Sequence, residues 1–105
     1  MSDKVPFSIV SVADNVKTAL VKFFRSLGRD IDEIRDQTDL IESTGASSDE
    51  GIDFALDLAD ELGAEVPNEF NPFVHPSGRR GMKFHELVEH AERFVAASKG
   101  VHHGG

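Results

Sequence analysis

The chain has no cysteine, no tryptophan and no tyrosine. The missing cysteine excludes a disulfide scaffold, a thiolate metal site and a cysteine nucleophile. No apolar run approaches the roughly 20 residues needed to span a bilayer. The start M-S-D-K-V-P-F has no basic segment followed by a long apolar run, which predicts no signal peptide and a soluble, cytoplasmic protein. Basic residues are also scarce, with 11 Lys and Arg against 19 Asp and Glu and a net charge of −8. Nucleic-acid affinity comes mainly from Lys and Arg neutralising phosphates, so this balance argues against nucleic acid and against anionic membrane. It favours partners that present basic patches, and it also keeps a small protein soluble.

What is present is an apolar set of Leu, Val, Ile, Ala and eight Phe in 105 residues, which suits one domain with one core. Residues 1–10 read as extended or frayed, with Phe7, Ile9 and Val10 available to the core. Val12, Val16, Ala19, Leu20, Phe23, Phe24 and Leu27 recur at helical spacing, which predicts a first helix over 12–27. Ser11 suits its N-cap and Gly28 its stop. Residues 29–46 are polar and irregular, pinned by Ile31, Ile34, Leu40 and Ile41, with a single turn expected at 32–35. A second helix is predicted over 48–62, with Ile52, Ala55, Leu56, Ala59 and Leu62 as its core face. Gly63 and Pro67 end it. Residues 68–81 read as a loop anchored by Phe70 and Phe73, and a last helix follows over 83–97. The tail, 98–105, is expected to be disordered. Three main helices, one or two short helical segments and no strand-like alternation predict an all-α antiparallel bundle spanning 11–97.

The chemistry concentrates between Gly45 and Pro67, where two serines open an acidic amphipathic helix. Ser47-x-x-Glu50 fits a capping box, in which Ser47 serves the helix start and Glu50 returns the favour. Ser48 then stands at the first helical position with a hydroxyl that capping does not need. A phosphodiester at that point is favoured by the helix dipole and by free N–H groups.

These residues resemble the acyl carrier protein family. In that family a serine within Asp-Ser-Leu, at the start of an acidic second helix, carries phosphopantetheine, and an Ile-Pro follows the helix. Here Ser47-Ser48-Asp49 stands at Asp-Ser-Leu, and Val66-Pro67 stands at Ile-Pro, with Pro67 19 residues beyond Ser48. The order of elements over about 12–97 is also similar. The resemblance implies a carrier-type helical bundle, a covalent 4′-phosphopantetheine on Ser48, and docking of a phosphopantetheinyl transferase and acyl-processing enzymes through the second helix. It implies a carrier rather than an enzyme. The chain departs from the pattern at Asp49, where the family has a Leu that the transferase contacts. Gly51 in the first turn and the longer 68–81 loop are further departures.

Asp49, Glu50, Asp53, Asp57, Asp60 and Glu61 crowd the second helix, with no Lys or Arg from Asp49 to Glu65. Like charges at i, i+4 cost a few tenths of a kcal/mol each. Such a stripe reads either as a solvated face or as a recognition surface for basic partners. Phe54 and Leu58, off the predicted apolar stripe, are candidates for an apolar contact beside those charges, and otherwise belong to a wide buried face. The unmodified alternative is a carrier-fold interaction or regulatory module using the same face. A monomer is expected.

Other chemistries are weakly supported. Asp30-Ile31-Asp32 fails as a calcium loop, because Ile34 and Ile41 stand where oxygen ligands are required. His85 and His90 are five apart, the wrong spacing for a shared helical face. No segment combines carboxylates with a histidine, a nucleophile and a phosphate-cradling loop. Arg79-Arg80 could grip a phosphate or carboxylate, although paired arginines in a Gly-flanked loop are usually just exposed.

Overall fold

Ser11 caps the first helix, α1 (Val12–Ser26), by accepting the Asp14 N–H at 3.1 Å. The helix closes on Gly28 at φ 79°, where a Cβ would be strained. The Arg29 N–H reaches back to the Phe24 carbonyl and the Gly28 N–H to Arg25, both at 2.9 Å, which makes a Schellman turn. The computed structural model describes residues 11–31 and 33–104, with side-chain surroundings given through 98. The expectations for 1–10 lie outside the described residues. The turn expected over 32–35 is absent at 33–35; the chain turns instead at 36–37, where the Thr38 N–H donates to the Arg35 carbonyl at 3.0 Å.

The second helix, α2 (Ser48–Leu62), has the predicted bounds and ends on Gly63 in the left-handed region. The third, α3 (Phe84–Gly104), runs past the end predicted near Ala97 and through residues expected to be a disordered tail. Ser98 and Lys99 carry no helix-breaking feature, and a lone glycine at 100 weakens a helix without stopping it. These are the α-helices of the described residues, and no extended strand accompanies them. The described residues form an all-α bundle of three helices.

The core sits around α1, which packs on both α2 and α3, while those two meet only marginally. Phe23 and Phe24 from α1, Phe54 from α2 and Phe73 from the following loop form one ring cluster. Phe73 stacks on Phe24 at 5.7 Å and on Phe54 at 5.3 Å, and Phe23 meets Phe54 edge-on at 5.3 Å. Such aromatic pairs add about 0.5–1.5 kcal/mol each beyond the area they bury.

The connections are laced rather than free. Leu40 N–H donates to the Met82 carbonyl at 2.8 Å, and Phe84 N–H to the Thr38 carbonyl at 2.9 Å. Isolated bridges pair Asp39 with Lys83 and Val74 with Gly81. The long 29–46 connection therefore holds the entry to α3, while its Leu40, Ile34 and Ala46 enter the core.

The buried face of α2 differs from the predicted one. Phe54 and Leu58 are fully buried, whereas Ile52 and Leu56 are 61% and 74% exposed. Apolar residues run most of the way around this helix, so two overlapping stripes compete. Burying the phenylalanine ring removes the largest apolar area from water. The orientation also turns Gly51 inward, toward the loop that carries Asn71 and Phe73.

Candidate functional site

The start of α2 is built by a reciprocal pair. Ser47 Oγ accepts the Glu50 N–H at 3.2 Å, and Glu50 Oε1 accepts the Ser47 N–H at 3.1 Å. This is the expected capping box. Arg29, at the exit from α1, lays both terminal nitrogens on the Glu50 carboxylate at 3.1 and 3.3 Å. The Ser47 N–H, helped by the Arg29 guanidinium, holds the Glu50 carboxyl below its ordinary range against the opposing effect of burial.

Ser48 is exposed at the first position of the helix. Its hydroxyl makes no hydrogen bond among the described residues. The N–H groups of Ser48 and Asp49 are likewise without an acceptor there, as a helix start leaves them. The inner side of the same turn is tightly held. Asn71 Nδ2 donates to the Ser48 carbonyl at 2.9 Å, and Asn71 Oδ1 accepts the Phe73 N–H at 2.9 Å. A Cβ on Gly51 would collide with Asn71 Oδ1 and come within 2.9 Å of Phe73 Cβ. Gly51 is therefore the notch into which Asn71 fits.

The predicted partner residues divide into three groups. Asp49, Asp53, Asp57 and Asp60 are exposed, and none has an ion-pair partner among the described residues. Glu50 and Glu61 are engaged within the chain, Glu50 with Arg29 and Glu61 with Lys22 at 3.3 Å. Phe54 and Leu58 cannot touch a partner, because both are buried to 0% exposure in the core. Their place on the surface is taken by Ile52 and Leu56, which stand one helical turn apart among the exposed aspartates. The acidic bias is also longer than the helix, since no Lys or Arg occurs between Arg35 and Arg79.

Of the arginine pair, Arg80 is committed to Glu86 through two bonds of 3.0 and 2.7 Å, and Arg79 is exposed. The Arg80 hydrogen bonds and the Lys83 N–H push the Glu86 carboxyl down to about 2. His85 faces Glu89 at 3.6 Å. His90 packs against Phe70 at 4.9 Å, and burial followed by the Arg93 charge lowers its pKa. No group of three or more potential ligands able to hold a metal is found among the described residues.

Two open clefts lie beside α3, neither lined by Ser48. One of about 760 Å³ lies between the end of α2 and α3, walled by Ala59, Ala64, Val66, Pro67, Phe94 and Ala97. Another of about 480 Å³ lies under the 68–81 loop, with Phe70, Asn71, Val74, His75, His90 and Phe94 in its wall. No described helix is long and apolar enough to cross a membrane.

Sequence reasoning missed Arg29, Asn71, Ile52 and Leu56. Gly51 was the available signal. A glycine in a helix's first turn marks a close approach from another segment. It also points residues 51, 54 and 58 to one inner face.

No protein-family model matches the chain, and no curated protein or solved structure is significantly similar to it.

Proposed function

We propose that this chain is a small carrier protein, related in design to acyl carriers, that holds 4′-phosphopantetheine on Ser48 as a phosphodiester. The observation that carries this reading is the division between two adjacent serines. Ser47 caps α2, while Ser48 is exposed beside it at the positive end of the helix, its hydroxyl without a partner among the described residues. The open N–H groups of Ser48 and Asp49 favour the negative charge that a phosphodiester brings. The arm, when bound, supplies a thiol that carries an acyl or aminoacyl group as a thioester. The chain's own residues deliver that cargo and select partners, with no catalysis of their own.

The partners are a phosphopantetheinyl transferase and acyl-processing enzymes with basic docking patches, in fatty acid or secondary metabolite biosynthesis. Asp49, Asp53, Asp57 and Asp60 offer the charges, and Ile52 and Leu56 the apolar contact between them. The protein works as a cytoplasmic monomer.

The test is intact mass after co-expression with a broad-specificity phosphopantetheinyl transferase. One increment of a phosphopantetheine group is expected, and it disappears in Ser48→Ala. No increment with a demonstrably active transferase sinks the proposal. An increment that survives Ser48→Ala moves the site, with Ser47 the first alternative.

Asp49 favours a second reading. It puts a carboxylate where carriers offer the transferase a leucine, as suits a carrier-type fold that is no longer modified and acts as an interaction or regulatory module. Both readings expect Asp53→Lys and Asp57→Lys to weaken partner binding, and only the first needs Ser48.

A further inference from the structure

We infer that Asn71 is a positioning residue for Ser48, holding the first turn of α2 so that the serine hydroxyl is presented to the enzyme that modifies it. The inference rests on the carrier reading above and adds a residue from the 68–81 loop to it.

The first turn of a helix is its least supported part, because its early N–H groups lack intrahelical partners and it frays readily. Here the turn also contains Gly51, which weakens a helix by up to about 1 kcal/mol relative to Ala. The capping box and Arg29 hold this turn on the Glu50 side, and the side that carries the Ser48 carbonyl needs support of its own. Asn71 supplies it through two bonds at once. Its Nδ2 donates to the carbonyl of Ser48 at 2.9 Å, and its Oδ1 accepts the N–H of Phe73 at 2.9 Å. Phe73 is fully buried and stacks on Phe54, which belongs to the same helix. The turn is thus tied to the aromatic core by a path independent of the helix's own hydrogen bonds.

The amide orientation is fixed by its neighbours. Exchanging Oδ1 and Nδ2 would put an oxygen against the Ser48 carbonyl and an N–H₂ against the Phe73 N–H, losing both bonds. The glycine that softens the turn is also what admits the support, since any side chain at 51 would meet Asn71 Oδ1. Gly51 and Asn71 therefore act as one device, and Ser48 stands on its outer side.

The reaction concerned is phosphopantetheine transfer from coenzyme A. Ser48 Oγ attacks the pantetheine-bearing phosphorus, and an Oγ–P bond forms. The P–O bond to the nucleotide breaks, and adenosine 3′,5′-bisphosphate leaves. The serine proton passes to the transferase or to solvent. Asn71 touches none of the reacting atoms. It narrows the range of positions open to the serine backbone, which contributes to orientation in the transition state. Initial docking on the acidic face does not need it.

The experiment measures transferase kinetics with coenzyme A on the full chain, its Asn71→Asp and Asn71→Ala variants, and Asp53→Lys as a docking control. Asn71→Asp keeps an acceptor for the Phe73 N–H and loses the donor to Ser48, and Asn71→Ala controls for its added charge. For both, kcat is expected to fall about tenfold, the weight of one well-placed hydrogen bond, with KM within about twofold. Asp53→Lys is expected to raise KM instead. Far-UV circular dichroism at the assay temperature should match the wild type, and the Glu50 amide, bonded to Ser47 Oγ in the intact turn, should exchange faster in the Asn71 variants. An unchanged kcat overturns the inference, as does a fall in kcat matched by a loss of folded protein. Absence of modification in the wild-type chain itself overturns the carrier reading and this inference with it.

Discussion

Glu50 in α2 and Glu86 in α3 occupy the same place, the third residue of a helix. Each accepts the N–H of the residue three before it, Ser47 or Lys83, at 3.1 and 2.9 Å. Each is also gripped by two nitrogens of an arginine from an earlier loop, Arg29 or Arg80. The starts diverge at their neighbours. The first residue of α3 is Phe84, buried, and the fourth is Leu87, fully buried. The first residue of α2 is Ser48, exposed, and the fourth is Gly51, a notch filled by Asn71. The two helices are thus anchored by the same carboxylate device. In α3 the anchored turn goes to packing, and in α2 it faces outward with an exposed serine. The difference locates candidate chemistry at α2 even though α3 has the lower carboxyl pKa, because a perturbed pKa can report an ion pair as well as a functional site.

That comparison can be broken at several points. Leu87→Ala should cost about 2–5 kcal/mol in a denaturant titration, since it removes a fully buried side chain from the fourth position of α3. Gly51→Ala, at the matching position of α2, should destabilise by about 1–3 kcal/mol, against the sign that helix propensity alone gives. A stabilising Gly51→Ala would show that Asn71 is not seated in the notch.

Glu86→Gln should cost about 1–2 kcal/mol at neutral pH. Its carboxyl is depressed in the folded protein to about 2 from 4.5. Its contribution is therefore complete above the ordinary carboxylate pKa and is lost as pH falls from about 4.5 toward 2. Thermal melts across that window should show a shallower acid limb in Glu86→Gln. Ser47→Ala should cost about 1 kcal/mol through loss of the cap. Ser48→Ala should change stability by less than about 0.5 kcal/mol while abolishing the mass increment. A large stability loss there would assign Ser48 a structural duty and erase the distinction between the serines.

Much of this site can be read from the sequence, because its determinants are local. Ser47-x-x-Glu50, the Gly63 stop and the Gly28 turn depend on residues a few positions apart, and they define α2 and the end of α1 as the structure has them. The buried face of α2 cannot be read that way. Ile52, Phe54, Leu56 and Leu58 are all apolar, so periodicity alone allows either stripe to face inward. The choice depends on Phe73 and Asn71, which arrive from some twenty residues downstream. The Arg29–Glu50 and Arg80–Glu86 pairs are hidden for a similar reason, because each joins a loop to a helix start through side chains whose spacing follows no helical period. The reach of α3 to Gly104 is not legible in the sequence, because residues 98–104 hold one apolar side chain, Val101, and so carry no stripe to announce a helix.

The Gly51 notch has a consequence for how this stretch could be moved between proteins. Residues 47–67 look like a self-sufficient cassette, since they contain the cap, the serine, the acidic face and the stop. They are not one. A transplant ending at Pro67 would leave behind Asn71 and Phe73, and the recipient would receive a serine on a turn softened by glycine with an open slot beneath it. The smallest portable unit extends at least to Phe73, and a host scaffold must present aromatic surface on which that residue can stack.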